Sequence, residues 1–180
     1  LEEGDDLAIL NLGPRLQSCQ EAIKLLNNYN IEPIEIGKGI ILEEGNEVAI
    51  LNLGSRLQSC QEAIKILNNN GIQPTLADAR FAKPIDKNLL EQLLDNHQYL
   101  LTIEEGSSGG FSSSVLNYIH NERIKITSTK VNNIFFPDKF IDHQSPEEQY
   151  SEIGMDADSI AKKILQIYEN NVVNFQSYNK

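Results

Sequence analysis

The chain has 180 residues, of which 40% are hydrophobic and 23% are charged, and its formal net charge is −11 at pH 7. This length gives room for one ordinary domain with some surplus, whereas two domains would be cramped. The negative charge, without any cluster of lysine or arginine, argues against nucleic acid and anionic membranes as partners, because both require a basic face. No apolar run approaches the roughly 20 residues of a membrane span, so we expect a soluble protein.

An internal repeat opens the chain. Residues 1–33 (LEEGDDLAILNLGPRLQSCQEAIKLLNNYNIEP) match residues 42–74 (LEEGNEVAILNLGSRLQSCQEAIKILNNNGIQP) without a gap. In each copy an apolar run predicts a buried strand, and an apolar stripe at spacings of three and four predicts the helix that follows. In the second copy, Ser55 and Gln58 predict a capping box at the start of this helix, and Gly71 predicts its end. The stripe of the second copy consists of Leu57, Cys60, Ile64 and Leu67.

Two copies are too few for a solenoid, which needs three or more units. Both copies cannot fill the same place in one sheet, and only the second continues into a plausible strand, at residues 75–79. We therefore expect residues 1–35 to be an appendage, 36–169 to be the domain and 170–180 to be a flexible tail. The appendage is expected to pack on a sheet edge or to exchange with the second copy. The duplication itself is either recent or a fault of gene assembly.

Cys19 and Cys60 occupy equivalent places in the two copies, on the apolar side of the predicted helices. They are therefore expected to be small core residues in a reducing compartment, and not a disulfide or a metal-binding pair. Because no signal peptide is visible, the cytoplasm is the expected location. The chain begins at Leu1 and not at a methionine, so we expect it to be a fragment.

Strands and helices alternate after the repeat. Asp86 predicts the cap of a helix, a strand begins at Tyr99, and residues 123–128 predict an edge strand that could run antiparallel. Residues 132–144 (NNIFFPDKFIDHQ) are predicted to be a loop that pins its apolar side chains to the body or to a partner. The helix after the glycine-rich turn is expected to bury Val115, Leu116 and Ile119.

Two further helix starts are marked by capping residues. Ser145 and Glu148 predict a capping box for a short helix, and Asp156 predicts the cap of the last helix. Because strands alternate with helices of about ten to fifteen residues, the predicted fold class is α/β, with a mostly parallel sheet between helices on both faces in three layers.

The centre of the chain is residues 99–120 (YLLTIEEGSSGGFSSSVLNYIH). A strand that ends on Glu104 and Glu105 leads through a glycine-rich turn into a helix. Polar residues at the carboxyl end of a parallel strand are the first candidates for function. The glycines fit neither a dinucleotide loop nor a phosphate loop, so we expect them to serve the turn itself. Glu104 and Glu105 should point to opposite faces, which weakens the case for a paired acid and base.

No catalytic, cofactor-binding or metal-binding residue is predicted. The histidines are scattered at positions 97, 120 and 143, and neither cysteine has a neighbour at ligand spacing. Neither serine run lies in a G-x-S-x-G nucleophile elbow. The candidates for an interdomain or site-edge position are loop residues that follow strands. They are Glu105, Gly106, Gly109 and His143.

Six segments, in this order, carry a resemblance to a known family. They are IGKG (36–39), VAILNLG (48–54), DARFAKPID (78–86), LLTIEEGSSGGFSSSV (100–115), FPDKFIDHQS (136–145) and IGMDADSIAKKI (153–164). Together they resemble the C-terminal, transketolase C-terminal-like domain of the 1-deoxy-D-xylulose-5-phosphate synthases. Transketolases and 2-oxoacid dehydrogenase β subunits share the implied fold and an EEG-like turn, but they lack the PDKFIDH and GMDADSI segments. Ser112 and Gln144 stand where the resembled family usually has glycine.

The resemblance implies a transferase that joins pyruvate to glyceraldehyde 3-phosphate with loss of carbon dioxide, for isoprene, thiamine and pyridoxal biosynthesis. The family uses thiamine diphosphate and Mg²⁺, and it holds them in the two domains that precede this one. The chain has no GDG motif followed by a magnesium-binding asparagine and no RYPRG segment before residue 36. We therefore expect this fragment to bind no cofactor and to be inactive alone. The preceding domains of the same enzyme, and a second copy in a homodimer, are the expected partners.

Two alternatives stay open. One is a non-catalytic dimerisation or docking module. A chain that stays strictly monomeric at high concentration would leave this alternative without support. The other is the C-terminal domain of a transketolase or of a 2-oxoacid dehydrogenase β subunit.

Overall fold

The computed structural model describes Glu21, Leu25 and residues 34–122 and 128–177, with side chains described to residue 168. In this part of the chain five strands form one sheet in the order β1–β3–β2–β4–β5. The strands are β1 (Ile40–Glu43), β2 (Val48–Leu53), β3 (Thr75–Asp78), β4 (Tyr99–Ser107) and β5 (Lys130–Phe136). The helices are α1 (Leu57–Asn69), α2 (Lys87–Asn96), α3 (Phe111–Asn121), α4 (Pro146–Glu152) and α5 (Ala157–Ser177).

The sheet is mostly parallel. Strand β2 pairs in parallel with β3 and β4, and β4 pairs in parallel with β5. Strand β1 pairs antiparallel with β3 at one edge. The predicted α/β fold is confirmed, and the carboxyl ends of four parallel strands meet at one edge of the sheet, where open α/β sheets place their functional sites.

Helices cover both faces of the sheet, which explains why β2 is apolar along its whole length. Val48 and Ile50 pack with α1 and α5, whereas Ala49 and Leu51 pack with α2 and α3. All four side chains are at most 2% exposed. Burial of each large aliphatic side chain stabilises the fold by roughly 1.5–3 kcal/mol. The predicted stripe of α1 is confirmed at its three fully buried positions, Cys60, Ile64 and Leu67.

Four of the predicted helix ends are confirmed. The Asp86 carboxylate accepts a hydrogen bond from the Leu89 backbone N–H, and Ser145 and Glu148 form the reciprocal capping box. Asp156 Oδ1 accepts from the Ser159 backbone N–H at 2.8 Å. Gly71 has a φ of +77°, a left-handed conformation suited to the residue after the α1 C-cap.

The capping box predicted at the start of α1 is wrong. Arg56 is the N-cap there and makes no side-chain capping bond. Ser55 Oγ instead donates to Glu105 Oε1 at 2.5 Å, and Gln58 Nε2 donates to Glu62. A carboxylate from a distant strand has replaced the local partner that the spacing suggested.

One predicted segment differs from the structure, and a second is not tested by it. Residues 132–136 are not a loop, because they complete β5, in which Ile134 is buried. The predicted edge strand at 123–128 lies outside the described residues except at its last position, and the antiparallel strand found is β1. In α3, Leu116 is 41% exposed while Tyr118 is buried, because the buried face is set by Phe111, Val115 and Tyr118 at helical spacing.

The first repeat copy lies outside the described residues, apart from Glu21 and Leu25, which are both helical. The division into 1–35, 36–169 and 170–180 stays a prediction. Helix α5 continues to Ser177, beyond the boundary drawn at residue 169. None of the described helices has the length and apolar character that crossing a membrane requires.

Candidate functional site

Glu104 ties the end of β4 to the start of α3. Its carboxylate accepts hydrogen bonds from the backbone N–H groups of Phe111 and Ser112, each at 2.7 Å, and from Ser112 Oγ at 2.8 Å. The first N–H groups of a helix have no partner within the helix, and a negative charge there favours the helix dipole. Glu104 is 4% exposed, so it serves as a buried cap that fixes the turn between β4 and α3.

The glycines at the end of β4 and in the turn after it make room for that carboxylate. A Cβ on Gly106 would lie 2.5 Å from Glu104 Oε2, and one on Gly110 would lie 2.4 Å from the same atom. Gly109 is different, because it has open space around it but a φ of +95°. At all three positions the glycine is required by the local backbone or by the Glu104 carboxylate, as the sequence analysis expected.

Glu105 faces away from Glu104 and joins a second cluster, built from three parts of the chain. It accepts a hydrogen bond from Ser55 Oγ, and its carboxylate lies 2.9 Å from Arg56 Nε. This is an ion-pair distance without the alignment of a hydrogen bond. The Arg56 guanidinium carbon lies 3.6 Å from the centre of the Tyr150 ring, and the Tyr150 hydroxyl bonds to Glu105. We call Ser55, Arg56, Glu105 and Tyr150 the Glu105 cluster.

Electrostatics in the Glu105 cluster favour the charged carboxylate. Burial by itself would raise the pKa of Glu105, but the hydrogen bonds from Ser55 and Tyr150, with the charge of Arg56, outweigh it and lower the pKa. The hydrogen bond to Glu105 raises the pKa of the Tyr150 phenol. Both shifts hold the cluster as a carboxylate paired with a neutral phenol and a guanidinium, an arrangement that joins β4, α1 and α4.

A surface cavity adjoins this edge of the sheet. It has a volume of about 410 Å³ and is lined by Ser107, Ser108 and the segment after β5. Phe140, on that segment, is fully exposed, which is unusual for a large aromatic side chain. His143 is exposed on the same segment. The prediction that all four candidates are loop residues is wrong for Glu105 and Gly106, which lie in β4 because the strand continues to Ser107. Gly109 lies in the turn after β4, and His143 lies apart on the segment after β5.

The described side chains do not fit a metal site. Nowhere in residues 34–122 and 128–168 do three histidine, cysteine, aspartate or glutamate side chains come together in a group that could hold an ion. Glu104 and Glu105 are the acids nearest the candidate turn, and both are already engaged by protein donors. We therefore assign no Mg²⁺ site to the described residues.

Sequence reasoning found the turn but missed the partners of its acids. Ser112, Arg56 and Tyr150 were not singled out as site residues. No sequence pattern marked Arg56 as a site residue, because the apolar spacing of the repeat in which it lies is explained by helix packing. Tyr150 follows the capping box of α4 and lies 45 positions after Glu105, so only the packing of α4 against the sheet brings the two together.

Comparisons with known proteins agree with this architecture. The chain is 41% identical, over 140 residues, to the probable 1-deoxy-D-xylulose-5-phosphate synthase 2, chloroplastic, of Oryza sativa subsp. japonica. The aligned part covers 78% of this chain and 20% of the relative, so the chain spans about a fifth of that protein's length.

Transketolases are among the solved structures that are similar to this chain. A split gene transketolase, described as an inactive beta4 tetramer, is similar with a TM-score of 0.66 and 29% identity, over 74% of this chain and 43% of that one. The transketolase of Campylobacter jejuni shows the fold alone, with a TM-score of 0.51 and 18% identity, over 72% of this chain and 18% of that one.

The family comparison covers more than half of the chain. The profile described as "Transketolase, C-terminal domain" matches residues 37–160, which include all five strands and the candidate turn. By its sequence, its sheet order and this match, the chain belongs to the transketolase C-terminal domain family.

Proposed function

We propose that the chain is the C-terminal domain of a thiamine-diphosphate-dependent 1-deoxy-D-xylulose-5-phosphate synthase. Such an enzyme joins pyruvate to glyceraldehyde 3-phosphate with release of carbon dioxide, and its product serves isoprenoid and thiamine biosynthesis. The observation that carries the proposal is the 41% identity to a probable synthase of this type over 140 residues. The solved transketolase relatives are less similar in sequence, at 29% and 18% identity.

In this proposal the chain supplies structure and not the reacting groups. The described residues hold no set of side chains suited to a metal, and the two acids of the turn are committed to protein partners. Thiamine diphosphate and Mg²⁺ would therefore be bound by the preceding domains of the full enzyme. The fragment alone is expected to be inactive.

We further propose that the carboxyl edge of the sheet faces those preceding domains. Glu105 and Gly106 lie in the last part of β4, Gly109 lies in the turn after it that Glu104 bonds to α3, and His143 is exposed on the neighbouring segment. Phe140 supports this placement, because a fully exposed aromatic side chain beside a cavity suits burial against another surface.

Fusion to a cofactor-binding part tests the activity. The chain replaces the C-terminal domain of the rice relative, and release of carbon dioxide from pyruvate is measured with glyceraldehyde 3-phosphate present. We expect the fusion to be active, whereas the chain alone makes no product and shows no heat of binding with thiamine diphosphate and Mg²⁺. A folded but inactive fusion contradicts the proposal, and so does cofactor binding by the chain alone.

Two matched variants test the placement of the edge. Phe140→Ser is expected to lower the activity of the fusion several-fold while leaving the unfolding temperature of the chain unchanged. Leu116→Ser, at a partly exposed position on α3, serves as the control and is expected to keep full activity. Equal activity of both variants would refute the placement.

The assembly and the compartment are also proposals. A homodimer of the full enzyme is proposed; the similar split gene transketolase, described as an inactive beta4 tetramer, supports only the capacity of such a chain to self-associate. The alternative, a stand-alone docking module, requires the chain itself to self-associate, which light scattering across concentrations decides. Cytoplasmic location is proposed from the free, buried Cys60 thiol, which fits a reducing compartment.

A further inference from the structure

The unit β2–α1 fills the centre of the fold. Strand β2 lies between β3 and β4, and α1 packs against α5. Its inward side chains are at most 2% exposed. The place that it fills, bounded by β3, β4 and α5, is called the central slot here.

Residues 1–33 carry almost the same sequence as the segment that contains this unit. The two copies differ at eight of 33 positions. Every fully buried position of the unit except Val48 has the identical residue in the first copy, and Val48 has Leu7. The identical pairs are Ala8 and Ala49, Ile9 and Ile50, Leu10 and Leu51, Asn11 and Asn52, Cys19 and Cys60, Ala22 and Ala63, Ile23 and Ile64, and Leu26 and Leu67.

The unit begins and ends at one point beside β3. The Gly45 N–H donates to Thr75 Oγ1 at 2.9 Å, and the Asn46 N–H donates to the Gln73 carbonyl at 2.7 Å. A Cβ on Gly45 would lie 2.1 Å from that carbonyl oxygen. The first copy keeps this glycine as Gly4, and backbone N–H groups supply both bonds, so the first copy can close the same junction.

Connection to the rest of the chain is also possible. If residues 1–33 enter the slot, residues 34–74 leave as one loop that joins the slot to β3. The ends of that loop meet where Pro74 and Thr75 are now joined. The entropic cost of closing a loop rises only slowly with its length, so a loop of this size does not forbid the exchange.

We propose that the central slot accepts residues 1–33 as an alternative to residues 42–74 of the same chain. The described part of the first copy agrees, since Glu21 and Leu25 are helical like their counterparts in α1. Leu25 is 61% exposed, whereas its counterpart Ile66 packs against the core. In this structure the slot thus holds the second copy.

Specific differences favour the second copy. The Ser55 hydroxyl, which donates to Glu105 at 2.5 Å, has Pro14 as its counterpart. Gly71, with a φ of +77°, has Asn30, which adopts that conformation less readily. Because residues 34–74 leave, the exchange also gives up the pairing of β1 with β3 and the bond from the Gly39 N–H to Asp86. The first copy is therefore the minor occupant until the second is damaged.

Aspartate substitutions at equivalent positions of the two copies test the proposal in the full chain. Leu51 is 2% exposed, and Leu10 is its counterpart. Leu51→Asp places an unpaired charge in the second copy, Leu10→Asp does so in the first, and the double variant damages both. We expect both single variants to unfold cooperatively on heating, and only the double variant to be unfolded from the start.

The two cysteines report which copy fills the slot. After iodoacetamide labelling, cleavage after lysine gives separate fragments, residues 1–24 with Cys19 and residues 39–65 with Cys60. In Leu51→Asp we expect protection to move from Cys60 to Cys19, with a change in relative labelling rate of at least about tenfold. In Leu10→Asp, Cys60 is expected to stay protected.

Three results would overturn the proposal. Leu51→Asp could be as unfolded as the double variant, or it could fold while Cys60 stays protected. It could also fold only as a dimer by light scattering at every concentration, in which case the segment comes from a second copy and not from the same chain.

Discussion

The side-chain hydroxyl of Ser112 donates to Glu104 Oε1 at 2.8 Å, and the backbone N–H of Ser112 donates to the same oxygen at 2.7 Å. Ser112 is 1% exposed and stands where the resembled family usually has glycine. The serine thus leaves the turn intact and adds a bond to the buried carboxylate.

Ser112→Ala is expected to destabilise the chain by about 1–2 kcal/mol, because a hydrogen bond to a charged, buried group is lost. Urea denaturation measures the difference. Ser113→Ala is the control, since its hydroxyl accepts only an exposed 3.2 Å bond from Gly109. If both variants lost the same free energy of unfolding, the hydrogen bond from Ser112 to Glu104 would contribute no more to stability than the exposed bond at Ser113.

The glycines of the turn are expected to differ in their tolerance of alanine. Gly110→Ala drives a Cβ to 2.4 Å from Glu104 Oε2, so the buried carboxylate must move, and we expect a loss of more than about 2 kcal/mol. Gly109→Ala meets no atom within 4 Å and is strained only by its φ of +95°, at about 1 kcal/mol. Thermal unfolding of both variants gives the order, and a reversed order contradicts the assigned role of Glu104.

Glu105→Gln tests the Glu105 cluster through pH. The pKa of Glu105 is lowered from 4.5 in the folded chain. The charged carboxylate therefore stabilises the fold above pH 4.5, and this contribution is lost as the pH falls through the pKa of the folded state. We expect the variant to lose about 1 kcal/mol at pH 7 and less than half of that near pH 3.

The control for this pH dependence is Glu62→Gln. Glu62 also accepts a side-chain hydrogen bond, but on the exposed face of α1. Its effect on the free energy of unfolding is expected to be small at both pH values. If Glu105→Gln lowered the free energy of unfolding equally at both pH values, the charge of Glu105 would not contribute to the stability of the cluster.

Cys60 is expected to be chemically inert in the folded chain. Burial raises the pKa of its thiol from 9.0 to about 12, so at pH 8 about one molecule in 10⁴ carries the thiolate. Iodoacetamide should label the fragment that contains Cys60 only after unfolding. Rapid labelling in a chain that retains its native circular dichroism would contradict this burial.

The same shift predicts how stability changes in alkali. The folded pKa lies above the unfolded one, so the stabilisation is complete below about pH 9 and is lost as the pH rises toward 12. Cys60→Ala is expected to show a shallower fall in unfolding temperature between pH 9 and 10.5 than the wild type. Identical slopes would refute a coupling between this thiol and folding.

The local elements could be predicted from the sequence because their signals lie within a few residues. The continuous apolar run of β2 and the stripe of α1 predicted a strand buried on both faces and the helix behind it. Strand β5 was missed, since Asn132 and Asn133 are typical of loops. In the sheet, Asn133 accepts a hydrogen bond from the Thr102 hydroxyl at 2.9 Å, which compensates for its polarity.

The sequence alone determined the α/β class, the family resemblance and the position of Glu104 and Glu105 at the end of a strand. Only the tertiary structure decided what each acid does, with Glu104 capping α3 and Glu105 paired with Arg56 and Tyr150. Likewise, the two repeat copies have nearly the same local propensities, and the hydrogen bond from Ser55 to the distant Glu105 favours the second. Secondary structure is predicted by patterns among neighbouring residues. The hydrogen-bond and ion-pair partners of a side chain depend on which distant segments pack together.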